Sequence, residues 1–197
     1  MLEAARASGV DKVVIVLPAT AMHGNPTSRD LPAKEGSIVP RGLRGVVAKS
    51  LVDLLDHYRE EHGVEFSALA TSSVYGSRQR VGAGVVAALI EAATRGEPAR
   101  LTGDGRQTRD FVYVDDVVDA IVRARQRGSG LVVNVGTGVQ TTLRDLAALV
   151  ARDSPPPSFV AARPDELVRF SLSSVRARIH LGWAPWTALA DGVEQLR

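Results

Sequence analysis

Cysteine is absent from the 197 residues, which removes disulfides, thiolate zinc sites and a cysteine nucleophile and leaves four histidines and the carboxylates as metal-ligating side chains. His23, His57, His62 and His180 have no metal-ligand spacing, so surface or structural roles are expected and no metal. Aromatic residues are scarce, at 5%, and none interleave with basic residues in the way that stacks bases. No run approaches the ~18 to 20 apolar residues that cross a bilayer. The opening MLEAARASG lacks the charged and apolar regions of a signal peptide. Nucleic acid and membrane partners are therefore not expected, and the cytoplasm is the expected location. Lysine is also rare, being confined to Lys12, Lys34 and Lys49, so arginine supplies nearly all of the positive charge behind a net +2. The arginines are scattered, yet single ones remain suited to phosphate because the planar fork matches its oxygens. What is present, 45% hydrophobic residues, is enough for a buried core in one ordinary domain.

The pattern along the chain alternates helix and strand. Residues 2–8 read as the tail of a helix stopped by Gly9, and the β-branched run 13–17 as a buried strand. A Pro-, Gly- and Ser-rich loop at 25–40 precedes a long amphipathic helix at 44–62, with Val47, Leu51, Leu54, Leu55 and Tyr58 at helical spacing and Gly63 as the stop. Strands at 66–70 and 131–135, a short extended piece at 111–114, and helices at 84–95, 116–125 and 143–150 follow. Short helical pieces near 174–181 and 189–196 close the chain, with Leu181, Trp183 and Trp186 as packing residues. Such alternation implies an α/β protein with a parallel sheet covered on both faces. A doubly wound sheet normally opens with a strand, a glycine-rich turn and a helix. Here only about three core strands can be counted, so the expectation is an incomplete doubly wound, Rossmann-like sheet with a small C-terminal α/β lobe, in a chain that begins mid-unit. The expected boundary divides 1–75, part of the sheet, from 76–197, mostly lobe with one strand near 131–135 returning to the sheet. Two glycine patterns imitate a dinucleotide fingerprint. Gly82, Gly84 and Ala87 follow Arg78-Gln79-Arg80 rather than a strand, and Gly136 and Gly138 have too little chain after them. Asp115 and Asp116, ahead of an apolar helix, favour its positive N-terminal end.

Several segments occur together in one order: LEAARASGVDKVVIV, LPATAMHG, Leu31-Pro32 with Glu35 and Pro40, VYG at 74–76, GDGRQTRDFVYVDDVVDAI at 103–121, NVGTG at 134–138, RPDEL at 163–167 and LGWAP at 181–185. In this order they resemble the extended short-chain dehydrogenase/reductases, specifically the NAD-dependent, UDP-glucose 4-epimerase-like nucleotide-sugar epimerases and dehydratases. The resemblance implies a Tyr four residues before a Lys as acid or base, its phenol acidified by the Lys and the nicotinamide. Lys49 matches the lysine, but Gly45 stands at the tyrosine position and no tyrosine lies between Met1 and His57. The hydroxyl that holds the sugar falls on Ala19, with Thr20 taking the role if the strand end shifts by one residue. On the substrate side the resemblance places Arg109 and Arg163 on the diphosphate, Glu166 at a carboxylate that holds ribose or sugar, and Ser73 in place of an Asn that contacts sugar or phosphate. Without the resemblance Arg109 reads as a local ion pair with Asp110, Arg163 as a solvated loop residue, and Lys49 as a solvent-facing cation.

The family implies NAD, while the absence of its glycine-rich motif makes NAD binding by this chain alone unexpected. The functional expectation is a degenerate, truncated relative that keeps weak UDP- or dTDP-sugar binding without turnover. Two alternatives stand beside it. One is an active epimerase or dehydratase once a missing N-terminal half is supplied; the other is a non-enzymatic interaction module or gene remnant, self-associating or pairing with a related subunit through the open edge of the 13–17 strand, while the resemblance implies a homodimer built on the helix ending near Ser8 and the helix around Lys49.

Overall fold

The computed structural model of the chain describes residues 1–36, 38–80, 82–150, 155–162 and 166–196. Helix α1 (Leu2–Ala7) leads into strand β1 (Lys12–Pro18), a one-turn helix α2 (Ala19–Met22) and the long helix α3 (Gly42–His62). Then come β2 (Glu65–Thr71), β3 (Ser73–Tyr75), α4 (Val85–Thr94), β4 (Arg100–Thr102), β5 (Thr108–Arg109), β6 (Phe111–Tyr113) and α5 (Val114–Ala124). The chain ends with β7 (Leu131–Val135), β8 (Thr141–Thr142), α6 (Leu143–Val150), β9 (Ser158–Val160), α7 (Val175–Leu181) and α8 (Leu189–Glu194). The fold is α/β: β1, β2 and β7 form a parallel sheet in the order β1-β2-β7, in which Ile15 pairs with Ala68 and Ala68 with Val132.

The central strand explains the layering. Successive side chains of a strand point to opposite faces, and in β2 Phe66, Ala68 and Ala70 pack into a cluster with Ala48, Val52 and Leu55 of α3, whereas Leu69 packs with Val117, Ala120 and Ala124 of α5 and with Leu181 and Trp183. Small residues on both sides let helix and sheet approach closely. A third cluster lies away from this sheet, where Val86 and Leu89 of α4, Leu146 and Val150 of α6 and Val193 of α8 surround Tyr75, Phe111 and Tyr113. The paired strands β3–β6, parallel, and β5–β8, antiparallel, connect this lobe to the main sheet.

Three expectations change. The 13–17 strand is not buried: β1 lies at the sheet edge, Val16 is 44% exposed, and only Leu17 is fully covered. In α3 the buried residues are Gly45, Ala48, Val52 and Leu55, while Val47 and Leu54 face outward at 49% and 47% exposure. The helical period was legible, but both faces are apolar, and the face with the smallest side chains is the one that fits against the alanine-lined sheet. Trp186 is 59% exposed, unlike the buried Leu181 and Trp183, because its backbone rather than its ring is what the fold holds.

Candidate functional site

Ligands of parallel α/β sheets sit beyond the carboxyl ends of the strands. Here β1 and β2 end together at Pro18 and Thr71, and β2 and β7 at Thr71 and Val135. Three segments leave that edge: α2 with Thr20, the 72–75 segment with Ser73, and the 134–138 turn. Thr20 and Ser73 are both half-buried, and their hydroxyls have no hydrogen-bond partner among the described residues. Ser73 donates its backbone N–H to the carbonyl of Asp110 at 2.9 Å, which brings it beside the Arg109 strand.

Arg109 is fixed within its own lobe. Its Nη1 donates to the carbonyls of Thr108 at 2.8 Å and Leu167 at 2.6 Å, and its Nη2 lies 3.8 Å from Glu166 Oε1. Both side chains are only 17% exposed. Burial pushes the guanidinium pKa below its ordinary value, Glu166 pulls it back up, and Arg41 adds to the downward push. An arginine stays charged through such shifts, so a mostly covered cation is held here, with Nε and Nη2 making no hydrogen bond among the described residues. Glu166 is held in turn by Thr102 Oγ1 at 2.7 Å and Gln107 Nε2 at 3.0 Å. Arg109 and Glu166 are therefore brought together as a preorganised pair. Arg163 lies outside the described residues.

Lys49 is not brought to this edge. Its ammonium pairs with Asp53 one turn along α3, at 2.9 and 2.7 Å, on the solvent face where the two side chains are 46% and 60% exposed. Gly45, four residues earlier, is buried against α2. A Cβ placed on it would stand 2.4 Å from the carbonyl oxygen of Ala21 and 2.9 Å from the backbone of Pro40. The position thus has no room for a side chain unless backbone moves.

The neighbour of Arg109 does something that the sequence reading missed. Asp110 is completely buried and makes no ion pair with Arg109. Its Oδ1 accepts from Thr137 N at 2.9 Å, Thr137 Oγ1 at 2.7 Å and Ser72 Oγ at 3.4 Å, and its Oδ2 accepts from Gly138 N at 2.9 Å and Leu172 N at 3.0 Å. Gly136 permits this, because a Cβ there would be 2.8 Å from Asp110 Oδ2. Asp116 likewise serves more than the helix dipole: buried at the start of α5, it accepts from Trp186 N and Thr187 N, both at 3.1 Å, and from Thr187 Oγ1 at 2.6 Å. Asp115 stays in the first turn of α5 as expected. His23 is structural, its Nε2 lying 2.9 Å from Asn134 Oδ1, while Glu35 Oε1 accepts the Asn134 N–H at 2.8 Å. A carboxylate preceding a strand and a glycine-rich turn after another strand were the available signals, but only the fold pairs them.

The arrangement tests whether NAD fits the residues present. A dinucleotide cradle needs backbone N–H groups free to meet a diphosphate at the end of a strand. The turn after β7 is the only glycine-rich turn directly following a main-sheet strand among the described residues, and its Thr137 and Gly138 amides are already spent on the Asp110 carboxylate, which would repel a diphosphate. Among the described residues, the amides of this turn are therefore not free to meet a diphosphate.

Comparison with known proteins agrees with the geometry. Residues 1–136 match the family described as NAD dependent epimerase/dehydratase family. The chain is 41% identical to a UDP-glucose 4-epimerase of Mycolicibacterium smegmatis, covering 98% of this chain and 63% of that protein. It is 31% identical to a putative UDP-glucose 4-epimerase of Methanocaldococcus jannaschii, covering 100% and 65%. Its fold superposes on the UDP-glucose 4-epimerase of Thermotoga maritima solved with UDP-glucose at a TM-score of 0.94, with 32% identity over 98% of this chain and 64% of that one. The Thermus thermophilus UDP-glucose 4-epimerase solved with NAD gives 0.90, with 29% identity over 98% and 65%. The chain thus spans a little under two thirds of the length of these relatives. With the parallel sheet, the strand-end site and the family match over more than half of its length, this chain belongs to the NAD dependent epimerase/dehydratase family.

Proposed function

We propose that this chain binds a UDP- or dTDP-linked sugar through Arg109, Glu166, Ser73 and Arg163 and does not turn it over. The observation that carries the reading is Gly45. The chemistry of a sugar-nucleotide epimerase moves a proton at a sugar hydroxyl as hydride leaves the carbon, which needs an acid/base within hydrogen-bond reach. At position 45 there is no side chain, and the backbone carbonyl of Ala21 occupies the space in which a Cβ would begin. Lys49, turned to Asp53, has no phenol to acidify. The binding half rests on Arg109, whose guanidinium is held by two carbonyls and a carboxylate and so is already oriented, with donors left for phosphate oxygens. Similarity to an epimerase solved with UDP-glucose supports the ligand class. NAD enters this function at the level of the family, and the described residues after β7 offer it no free backbone cradle.

The test is a thermal-shift and calorimetric titration of the full chain with UDP, dTDP, UDP-glucose and UDP-galactose, alongside an NMR assay for sugar interconversion with NAD added. Stabilisation by the nucleotides without interconversion is expected. No stabilisation at millimolar ligand sinks the binding claim, and interconversion sinks the other. A second reading, pairing with a further copy or a related subunit, is favoured by β1, which among the described residues pairs on one side only, with Val16 exposed beside it. Light scattering checks it: a strictly monomeric particle counts against pairing of two copies, and failure to capture any related subunit counts against the other form.

A further inference from the structure

The turn between β3 and α4, α4 itself and Leu196 line an open cavity of about 460 Å³, which none of Ser73, Arg109 or Glu166 lines. That volume falls within the range of small-molecule sites, ~300 to 1,000 Å³. Its floor is apolar, made by Ala87 and Ile90 of α4 and by Leu196 near the chain end, with Thr94 on the wall. The mouth is cationic. Glu91, the carboxylate in the lining, is paired with Arg95 one helical turn away, and Arg78, exposed at the rim, has no ion-pair partner among the described residues.

The backbone at Arg78 gives independent reason to think that its side chain is used. Residues 76–79 form a turn closed by Gln79 N–H donating to the Gly76 carbonyl at 3.4 Å, and Arg78 sits third in it with φ at 64°. This left-handed position is one that glycine or asparagine takes readily and a long side chain does not. Arg78 is the only non-glycine residue with positive φ among those described. The turn is not floppy: the Gln79 side-chain amide donates to the carbonyls of Val74 at 3.4 Å and Ala83 at 3.1 Å, bracing it from inside. A strained residue persists where its surroundings over-determine it and where its side chain has a task. A guanidinium over an apolar floor suits an anion with an apolar body, since the fork can take two oxygens of a carboxylate or phosphate while the remainder of the molecule leaves water.

We infer that this cavity is a second ligand site, distinct from the strand-end site, for a small molecule that joins a carboxylate or phosphate to an apolar or aryl body, with Arg78 as its anion-binding residue. The probes are 1-naphthoate, 1-naphthyl phosphate and the neutral 1-naphthylmethanol, titrated into the 15N-labelled full chain and followed by amide chemical shifts. The two anions are expected to move the amides of Ser77, Gln79, Ile90 and Thr94 and to bind at least tenfold more tightly than the alcohol; whichever anion binds tighter identifies the head group. Arg78→Gly should bring the anions down to the alcohol's affinity while the melting temperature holds or rises, because glycine relieves the backbone. Ala87→Trp should fill the cavity and abolish binding of all three. Equal affinity of anions and alcohol, shifts centred outside this cavity, no binding, or unchanged anion affinity in a folded Arg78→Gly or Ala87→Trp protein would each overturn the assignment.

Discussion

The buried carboxylates Asp110 and Asp116 and the edge formed by α2 and α3 belong to one family pattern, yet they are in opposite conditions. The buried motif carboxylates are satisfied: Asp110 gathers five donors, Asp116 at the start of α5 three, and the Trp183 indole donates to the Asp116 carbonyl at 2.8 Å. Along α2 and α3 three of the positions that the resemblance makes chemical are blank or turned away, Ala19 and Gly45 lacking functional groups and Lys49 facing solvent, with only the Thr20 hydroxyl left beside them. The difference separates two reasons for a residue to stand in a motif. A buried carboxylate with several donors is indispensable to folding whatever the protein does, whereas a phenol at an active edge matters only to turnover.

Breaking the carboxylate side should have the largest effect. Asp110→Ala strands four donors from backbone N–H and hydroxyl groups in a sealed site, together with the more distant Ser72 hydroxyl, so a loss of about 3 to 5 kcal/mol is expected. Urea denaturation measures it, and a loss under 1 kcal/mol would mean that water or a shifted turn satisfies those donors. Next comes Gly45→Ala on the other side. In a helix interior the substitution should gain about 1 kcal/mol on propensity alone. Against that, the new Cβ would lie 2.4 Å from a backbone carbonyl, and overpacking of this kind costs about 1 to 3 kcal/mol or more. The clash should win, giving net destabilisation by denaturation, and Gly45→Tyr should destabilise further without restoring sugar interconversion. Stabilisation by Gly45→Ala would show that α3 can move from α2 and that the edge is not closed by packing.

Much of the fold was legible because its signals are local. The period of 3.6 placed α3 and α5, β-branched runs placed β1 and β7, and Gly63 stopped α3 where the reading expected. What escaped was which face of an element is covered. Val47 and Leu54 are as apolar as Val52 and Leu55, and only the small side chains of β2 decide that the latter pair turns inward. At the site, Arg109 and Glu166 were found through the order of motifs, and the structure brings them within 3.8 Å. Asp110 was read as the partner of Arg109 because they are adjacent in sequence. Its true partners, on residues 72, 137, 138 and 172, come from three distant segments, and no local pattern announces such a junction.

Smaller effects sharpen the comparison at the candidate site. Arg109→Ala removes the cation from a pair in which both side chains are mostly covered, leaving Glu166 with Thr102 and Gln107 but without its positive neighbour. A charge-assisted bond contributes about 1.5 to 3 kcal/mol, so affinity for UDP should fall roughly 10- to 100-fold by calorimetry. An unchanged affinity would remove the diphosphate role and leave Arg109 as a strut for the Thr108 and Leu167 carbonyls.

Lys49→Met is the most discriminating of the mild changes, because the two views of the α3 edge disagree about it completely. If the lysine serves only Asp53, the substitution removes an exposed pair one helical turn apart, worth about 0.3 to 0.5 kcal/mol. Stability should then change by no more than that, the small loss should vanish in high salt as the Debye length shortens, and the UDP-sugar titration should superpose on that of the unaltered chain. If the ammonium instead swings to the strand ends when a ligand is bound, stability alone would still barely move, but affinity for the sugar nucleotide would drop in step with ionic strength. The ligand titration of Lys49→Met at low and high salt, rather than its melting temperature, therefore decides whether the lysine that survives beside Gly45 still belongs to a site.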